Sequence, residues 1–381
     1  MRLIESVVSK AVPANRWRRR FIAVVLELML MVPGKATFRN LSRYSGYHEK
    51  SFSRGFGRAY DWTALNHAAL TEVIPADHEQ ALVMDASFIG KSGRGTYGLD
   101  QFWNGCAARA ERGLEISVLG WLDVTANQAY SLDVEQTPAR ESTPTAEPVK
   151  SRRRKGSKKP SAVSDESRVM AYLAQLRRVI PAYPLANLRY LIVDGYYSKV
   201  TFIDGVVELG LQMIGKLRSD ANLHYLYTGP RRPGPGAPKR FDGKVDWADL
   251  SRFHRFDTDQ HGVTLSQQRL YHPHFKRTLN VVVVVDSCGR TPRQRILFST
   301  DLALDAVTLY RYYRARFQIE FLLRDAKQAT GLADCQARDR DKLQFHFNAS
   351  LTAASLAKLE VQQHSGGQLR EPFSIHSLQR R

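Results

Sequence analysis

Cysteine is scarce in this sequence, whose 381 residues include only Cys106, Cys288 and Cys335. Three widely spaced cysteines form neither a disulfide framework nor the paired ligands of a zinc site. The composition therefore fits a reducing compartment and excludes a secreted, disulfide-stabilised domain.

Long apolar runs are missing too. Residues 21–32 are apolar, but Glu27 interrupts them, and the run is shorter than the roughly 20 residues that cross a bilayer. The basic residues 16–20 in front of it are typical of a targeting signal, yet no small-residue cleavage site follows. Pro33 and Gly34 come directly after it, as they do where a helix ends. We therefore predict a core helix of an N-terminal bundle and no membrane partner.

Acidic residues are too few to balance the basic ones. Lys and Arg number 56 and Asp and Glu 37, which gives a formal charge of +19 and a pI near 9.9. Such an excess repels itself unless a polyanion neutralises it, so nucleic acid is the leading partner, with an anionic membrane surface as the alternative. The length suits two or three domains, and 43% hydrophobic residues are enough to build their cores.

A complete phosphate-binding loop is also absent. The segment Gly90-Lys91-Ser92 lacks the earlier glycine that the nucleotide-binding pattern requires, which argues against an NTPase. We expect instead a glycine-rich loop that places Lys91 near a DNA phosphate.

Two acids follow short apolar runs. Asp85 comes directly after residues 81–84, and Asp194 comes after residues 188–193. Each run is typical of a buried strand, and acids at strand ends often belong to sites in α/β folds. A single such acid is more often a turn or cap residue, so the pair matters more than either member.

Residues 310–332 have the pattern of one amphipathic helix. Tyr313, Arg316, Glu320 and Lys327 stand at spacings that stack side chains on one face, and a second face is apolar. Taken alone, the charged face could be a solvated one with an Arg316–Glu320 pair.

The spacing Tyr313-x2-Arg316-x3-Glu320-x6-Lys327 resembles, without a gap, the Y-x2-R-x3-E-x6-K signature of bacterial DDE insertion-sequence transposases. The resemblance implies an RNase H-like core in which Asp85, Asp194 and Glu320 are catalytic and bind metal, with two Mg²⁺ or Mn²⁺ ions. It also implies that Tyr313, Arg316 and Lys327 contact DNA. The implied partners are double-stranded DNA, both element ends and target, and a second copy of the chain in a synaptic homodimer. The implied location is cytoplasmic and nucleoid-associated.

Residues 37–60 read as two short helices around a glycine-containing turn. The second carries Arg54 among other basic residues, which favours a helix-turn-helix that contacts DNA, with a plain helical bundle as the alternative.

The resulting fold class is α/β: an RNase H-like core, an inserted β-rich subdomain and an N-terminal all-α region. The expected division is residues 1–78 (helical, DNA-binding), 79–218 (first part of the core), 219–300 (insert), 301–363 (C-terminal core helices) and 364–381 (tail). Residues 137–162 form a basic, proline-containing loop, either a solvated linker or a phosphate-binding segment. Strands are expected at residues 114–122, 129–135, 211–217, 264–272, 279–286 and 295–300.

Other function classes stay open at this point. An RNase H-like DNA nuclease would share the three acids, and a catalytically silent DNA-binding protein derived from a transposase would keep the positive charge. A glycosidase also uses paired acids, but its neutral substrate does not account for the charge of +19.

Overall fold

A computed structural model describes residues 2–11, 15–93, 95–140, 164–184, 188–231, 237–258 and 261–364. The helices in these ranges are α1 (Arg2–Ala11), α2 (Arg16–Met31), α3 (Phe38–Arg43), α4 (Glu49–Phe56), α5 (Trp62–Val73), α6 (Asp165–Val179), α7 (Val200–Glu208), α8 (Ala306–Ala315), α9 (Gln318–Ala329) and α10 (Arg340–His364). The strands are β1 (Gln80–Gly90), β2 (Asp100–Asn104), β3 (Arg109–Asp123), β4 (Gln128–Gln136), β5 (Tyr190–Ile192), β6 (Gln212–Leu217), β7 (His224–Leu226), β8 (Phe241–Lys244), β9 (His254–Asp257), β10 (Val263–His272), β11 (Arg277–Asp286) and β12 (Arg293–Ser299).

The chain has a mixed α/β fold around one large sheet. In its first half β4, β3, β1, β5 and β6 are neighbours in that order, and β1, β5 and β6 run parallel. The long antiparallel β1–β3 pair forms because both strands are rich in apolar residues, which are buried on both faces. The strands predicted at residues 114–122, 129–135 and 211–217 are confirmed as β3, β4 and β6.

The region expected as an insert continues the same sheet. β12 pairs antiparallel with β6, and β11 and β10 follow at its far side. The three strands predicted in this region are confirmed as β10, β11 and β12. Because they extend the core sheet through β6, the β-rich region shares its backbone hydrogen bonds with the core.

The first 73 residues are helical in their described part and pack on α10. Phe345 of α10 contacts Phe56 of α4 at a ring-centroid distance of 4.2 Å and Trp62 of α5 at 4.9 Å. Asn66 of α5 donates to the carbonyl of Leu132 in β4, so these helices also contact the sheet. The helix pair expected within residues 37–60 is confirmed as α3 and α4.

Asp85 does not end its strand, which corrects the sequence-based expectation. β1 continues to Gly90 because Ser87 and Ile89 keep pairing with β3. The parallel partner β5, however, pairs only with Leu82 and Val83. Asp85 therefore lies where β1 separates from β5 and the sheet opens.

The helix predicted over residues 310–332 is wrong as one unit. It divides into α8 and α9 at Arg316 and Phe317. There the amides of Phe317, Ile319 and Glu320 bond to carbonyls three residues back, as in a 3₁₀ turn. The turn interrupts the α-helical hydrogen bonds between α8 and α9, but Arg316 still reaches Glu320 four residues on.

Two further expectations concern the rest of the chain. All three cysteines are free. Among the helices described, none is both long and apolar enough to span a bilayer. The basic run within residues 150–159 and the tail at residues 365–381 lie outside the described residues.

Candidate active site

Asp194 follows β5 and begins a short helical turn. Its carboxylate accepts a hydrogen bond from the Tyr196 N–H at 2.8 Å, which caps that turn. Gly195 and Tyr196 form this turn directly after Asp194. The turn holds the Asp194 side chain beside the opening between β1 and β5.

Glu320 lies in the first turn of α9. Its Oε1 accepts a hydrogen bond from Arg316 Nη2 at 2.9 Å, and the Arg316 side chain is only 13% exposed. Ile319 of α9 packs over Gly120 of β3, where a Cβ would lie at an ordinary contact distance of 3.5 Å from Ile319 Cδ1 but only 2.9 Å from Val83 Cγ1. The glycine thus avoids a clash with Val83 of β1, the strand that carries Asp85.

Asp85, Asp194 and Glu320 line one cavity of about 810 Å³, which we call the acid cavity. Its walls come from β1, β2, α6, the turn after β5, and α9. Among the other lining residues are Phe88, Trp103, Cys106, Glu115, Arg168, Tyr196, Leu323, Arg324 and Lys327. The topology thus brings together three acids that are up to 235 residues apart in the sequence.

The acids affect one another electrostatically. Burial, then the charge of Asp194 and, more weakly, that of Glu320, raise the pKa of Asp85 to about 7, whereas Arg316 and the Ala86 N–H act in the opposite direction. Burial is the main cause, and the neighbouring acids add a repulsion that a bound cation would relieve.

A family model described as DDE superfamily endonuclease matches residues 9–269, more than half of the chain. The chain belongs to this family. The match includes Asp85 and Asp194 and ends before Glu320. No curated protein matches the chain.

The donor chemistry of the acid cavity suits a hard divalent ion, because carboxylate oxygens are the ligands that Mg²⁺ and Mn²⁺ prefer. Within the described ranges, however, no three His, Cys, Asp or Glu side chains are already arranged around a single point as metal ligands. Arg316 accounts for part of this, since its guanidinium lies against Glu320. The three acids fit the ion by residue type and shared cavity, and Glu320 could bind it through Oε2 while Oε1 stays paired with Arg316.

The four residues of the charged face are divided between two cavities. Glu320 and Lys327 line the acid cavity, whereas Tyr313 and Arg316 line a second one of about 1090 Å³. Asp194 and Tyr196 line both cavities. Arg316, which lines the second cavity, still bonds to Glu320 of the acid cavity across the 3₁₀ turn, so the two cavities adjoin at this pair.

Lys91 and Arg54 are not among the residues that line either cavity. Lys91 follows β1 and is half-buried, and burial lowers the pKa of its ammonium group. Arg54 is exposed on α4, which packs on α10. The DNA contacts predicted for these two residues stay predictions.

Sequence reasoning missed a buried ionic cluster in the wall of the acid cavity. Glu115 of β3 accepts hydrogen bonds from Arg168 Nε at 2.9 Å, Tyr172 Oη at 2.6 Å and Thr137 Oγ1 at 3.0 Å. Arg168 also stacks on the ring of Tyr196, at 4.6 Å from its centroid. The cluster connects β3 and α6 to the turn that holds Asp194. The charged Arg168 amid a helical apolar stripe was the signal that could have revealed it.

Proposed function

We propose that this chain is a DDE transposase that cuts DNA at the ends of an insertion sequence and joins the freed 3′ ends to target DNA. The observation that carries the proposal is the shared cavity of Asp85, Asp194 and Glu320, with the raised pKa of Asp85. The match to DDE superfamily endonucleases supports the endonuclease part of this activity.

The topology supports an RNase H-like core. Antiparallel β3 and β4 flank β1, and the parallel strands β5 and β6 lie on its other side. The β-rich region after β6 would be the insert, and the N-terminal helices with Arg54 would be the DNA-binding region. The synaptic homodimer, the nucleoid-associated cytoplasmic location and the DNA contact of Lys91 belong to the same proposal.

Asp85, Asp194 and Glu320 would hold two Mg²⁺ or Mn²⁺ ions. When bound, such ions activate water and stabilise the leaving 3′ oxygen in phosphodiester cleavage. Lys327 lines the same cavity and can neutralise a phosphate oxygen of the strand. Arg316 pairs with Glu320 in the metal-free protein, and its guanidinium and the Tyr313 hydroxyl can bind a phosphate from the neighbouring cavity.

The test is incubation of the purified chain with Mg²⁺ and linear DNA that carries the ends of its own element. Strand transfer into a second DNA is the result we expect. Cleavage without joining would assign the chain to the nucleases, and retention of DNA without cleavage would leave a DNA-binding protein.

Glu320→Gln is the matched variant for this assay. It should lose cleavage and joining and retain most of the DNA affinity, because it removes a metal ligand and leaves the basic residues in place. Glu166→Gln, which removes an exposed acid of α6, serves as the control and should behave as the wild type. Full activity of Glu320→Gln would contradict the site assignment.

A further inference from the structure

Trp103 is a large aromatic residue on a wall of the acid cavity and takes no part in the assignments above. It lies on β2, which pairs only with β3 in the described sheet. Its neighbour Phe102 is 1% exposed and belongs to the interior, whereas Trp103 is 51% exposed. A single exposed aromatic residue is common on protein surfaces, so exposure alone carries no argument.

The strand register places Trp103 on the same sheet face as Asp85. Trp103 is paired with Ala110 of β3, and Asp85 is paired with Val118 of the same strand. Residues an even number of positions apart on a strand point to the same face, and Ala110 and Val118 are eight apart. α9 covers this face. Trp103 therefore lies on the same face as Asp85 but toward the other end of the cavity, since eight residues of strand span about 26 Å.

Trp103 also differs from the other four tryptophans. Within the described residues, its indole makes no ring-stacking contact, no cation–π contact and no side-chain hydrogen bond. Each of the others has at least one: Trp17 stacks on Phe21, Trp62 packs on Phe345, Trp121 donates to Gln80, and Trp247 donates to the Ala221 carbonyl. Holding an indole at a cavity wall without an internal partner leaves its face available to a ligand.

The composition of the cavity identifies the ligand class. One side carries the three acids, which are suited to a metal-bound phosphate, and Lys327 supplies a cation beside them. The lining also includes Trp103, whose indole is suited to a flat apolar group. A nucleotide has both parts, a charged phosphate and a base with a π face, and bases stack on aromatic side chains with little regard to sequence.

We infer that the indole of Trp103 stacks on a nucleobase of the DNA strand whose scissile phosphate lies at the acids. The inference rests on the proposed function and deepens it, because it assigns a base contact to a cavity otherwise described by its phosphate and metal ligands. Trp103 acts here as a binding and positioning residue. A second copy of this chain is a poorer occupant of the same wall, since it would cover the acids and exclude the DNA.

The test uses 2-aminopurine, a fluorescent base that stacking quenches. The wild-type cut position on an end-bearing duplex is first mapped from product lengths. 2-Aminopurine is then placed at successive positions away from it, because Trp103 lies about 26 Å along the strands from Asp85. Binding is followed with Ca²⁺ in place of Mg²⁺, so that quenching is measured without cleavage. Trp103→Ala, Trp103→Phe and the control Tyr97→Ala, which removes a 47% exposed aromatic residue outside the cavity, are compared with the wild type.

We expect quenching in the wild type and in Tyr97→Ala, partial quenching in Trp103→Phe and none in Trp103→Ala. Trp103→Ala should also weaken binding about 5- to 150-fold, the range that corresponds to stacking on one base. An abasic site at the probed position should weaken wild-type DNA binding to the same extent. It should not further weaken the binding of Trp103→Ala.

Unchanged quenching in Trp103→Ala would overturn the inference. If Trp103→Ala changes the oligomeric state and leaves the quenching unchanged, Trp103 belongs to a subunit interface and the inference fails. If the wild type neither cleaves nor joins, the 2-aminopurine is placed at each position near the duplex end in turn. Trp103-dependent quenching would then uphold the base contact while the proposed function fails, and its absence at every position would overturn the contact as well.

Discussion

Replacing Asp85 by asparagine should make the metal-free protein more stable, although it removes a proposed catalytic residue. The pKa of Asp85 is raised from 3.8 to about 7, first by burial and then by Asp194. An asparagine has nearly the same size and carries no charge, so it avoids the burial cost and the repulsion. Active-site residues commonly lower stability in this way.

The sign of the pH dependence follows from the direction of the shift. Between pH 4 and 7 the unfolded chain releases the Asp85 proton while the folded protein retains it. The free energy of unfolding of the wild type therefore decreases as pH rises through this window, and the full penalty applies above pH 7. The advantage of Asp85→Asn should be close to zero near pH 4 and largest at pH 8.

A shift of about three pKa units corresponds to about 4 kcal/mol. Asp85 is only half-buried and water screens its charge, so we expect roughly half of this value, about 2 kcal/mol. For 381 residues the unfolding entropy is about 0.8 kcal/mol per kelvin, so Tm should rise by about 2–3 °C.

Calorimetry in EDTA at pH 4.5 and pH 8 measures this difference. The control is Asp257→Asn, which replaces an acid whose side chain is 92% exposed and should not change Tm at either pH. Addition of Mg²⁺ at pH 8 should stabilise the wild type and not Asp85→Asn. A Tm of Asp85→Asn at or below the wild-type value at pH 8 would refute the reasoning.

Two further substitutions test the support of the site. Arg168→Met should lower the free energy of unfolding by about 3–5 kcal/mol, because it leaves the buried Glu115 carboxylate without its cation. Denaturant titration measures this loss. The control Arg177→Met, on the exposed side of α6, should have little effect. Gly120→Ala should cost about 1–3 kcal/mol and reduce DNA cleavage, because its Cβ would lie 2.9 Å from Val83 Cγ1 and displace β1, which carries Asp85. Unchanged cleavage would exclude this packing role.

The elements that carry the acids could be predicted from the sequence because each has a strong local signal. The apolar run before Asp194 is long enough to indicate a buried strand, and the apolar stripe of Ile319, Leu322 and Ala326 indicates a helix. These signals locate the elements. Their meeting at one cavity depends on strand order, which no local pattern contains.

The division between α8 and α9 could not be predicted, because neither glycine nor proline occurs at Arg316 or Phe317. Both residues keep right-handed helical backbone angles, and only the hydrogen-bond pattern tightens. Similarly, Trp103 lies on a five-residue strand with polar neighbours, and β2 forms because β3 is long enough to pair with it. Tertiary pairing decides both features.

Anomalous diffraction from crystals of the chain with DNA and Mn²⁺ tests the central claim most directly. We predict manganese peaks within about 2.0–2.2 Å of carboxylate oxygens of Asp85, Asp194 and Glu320. Manganese bound elsewhere, or a DNA complex in which no peak lies in the acid cavity, would contradict the account.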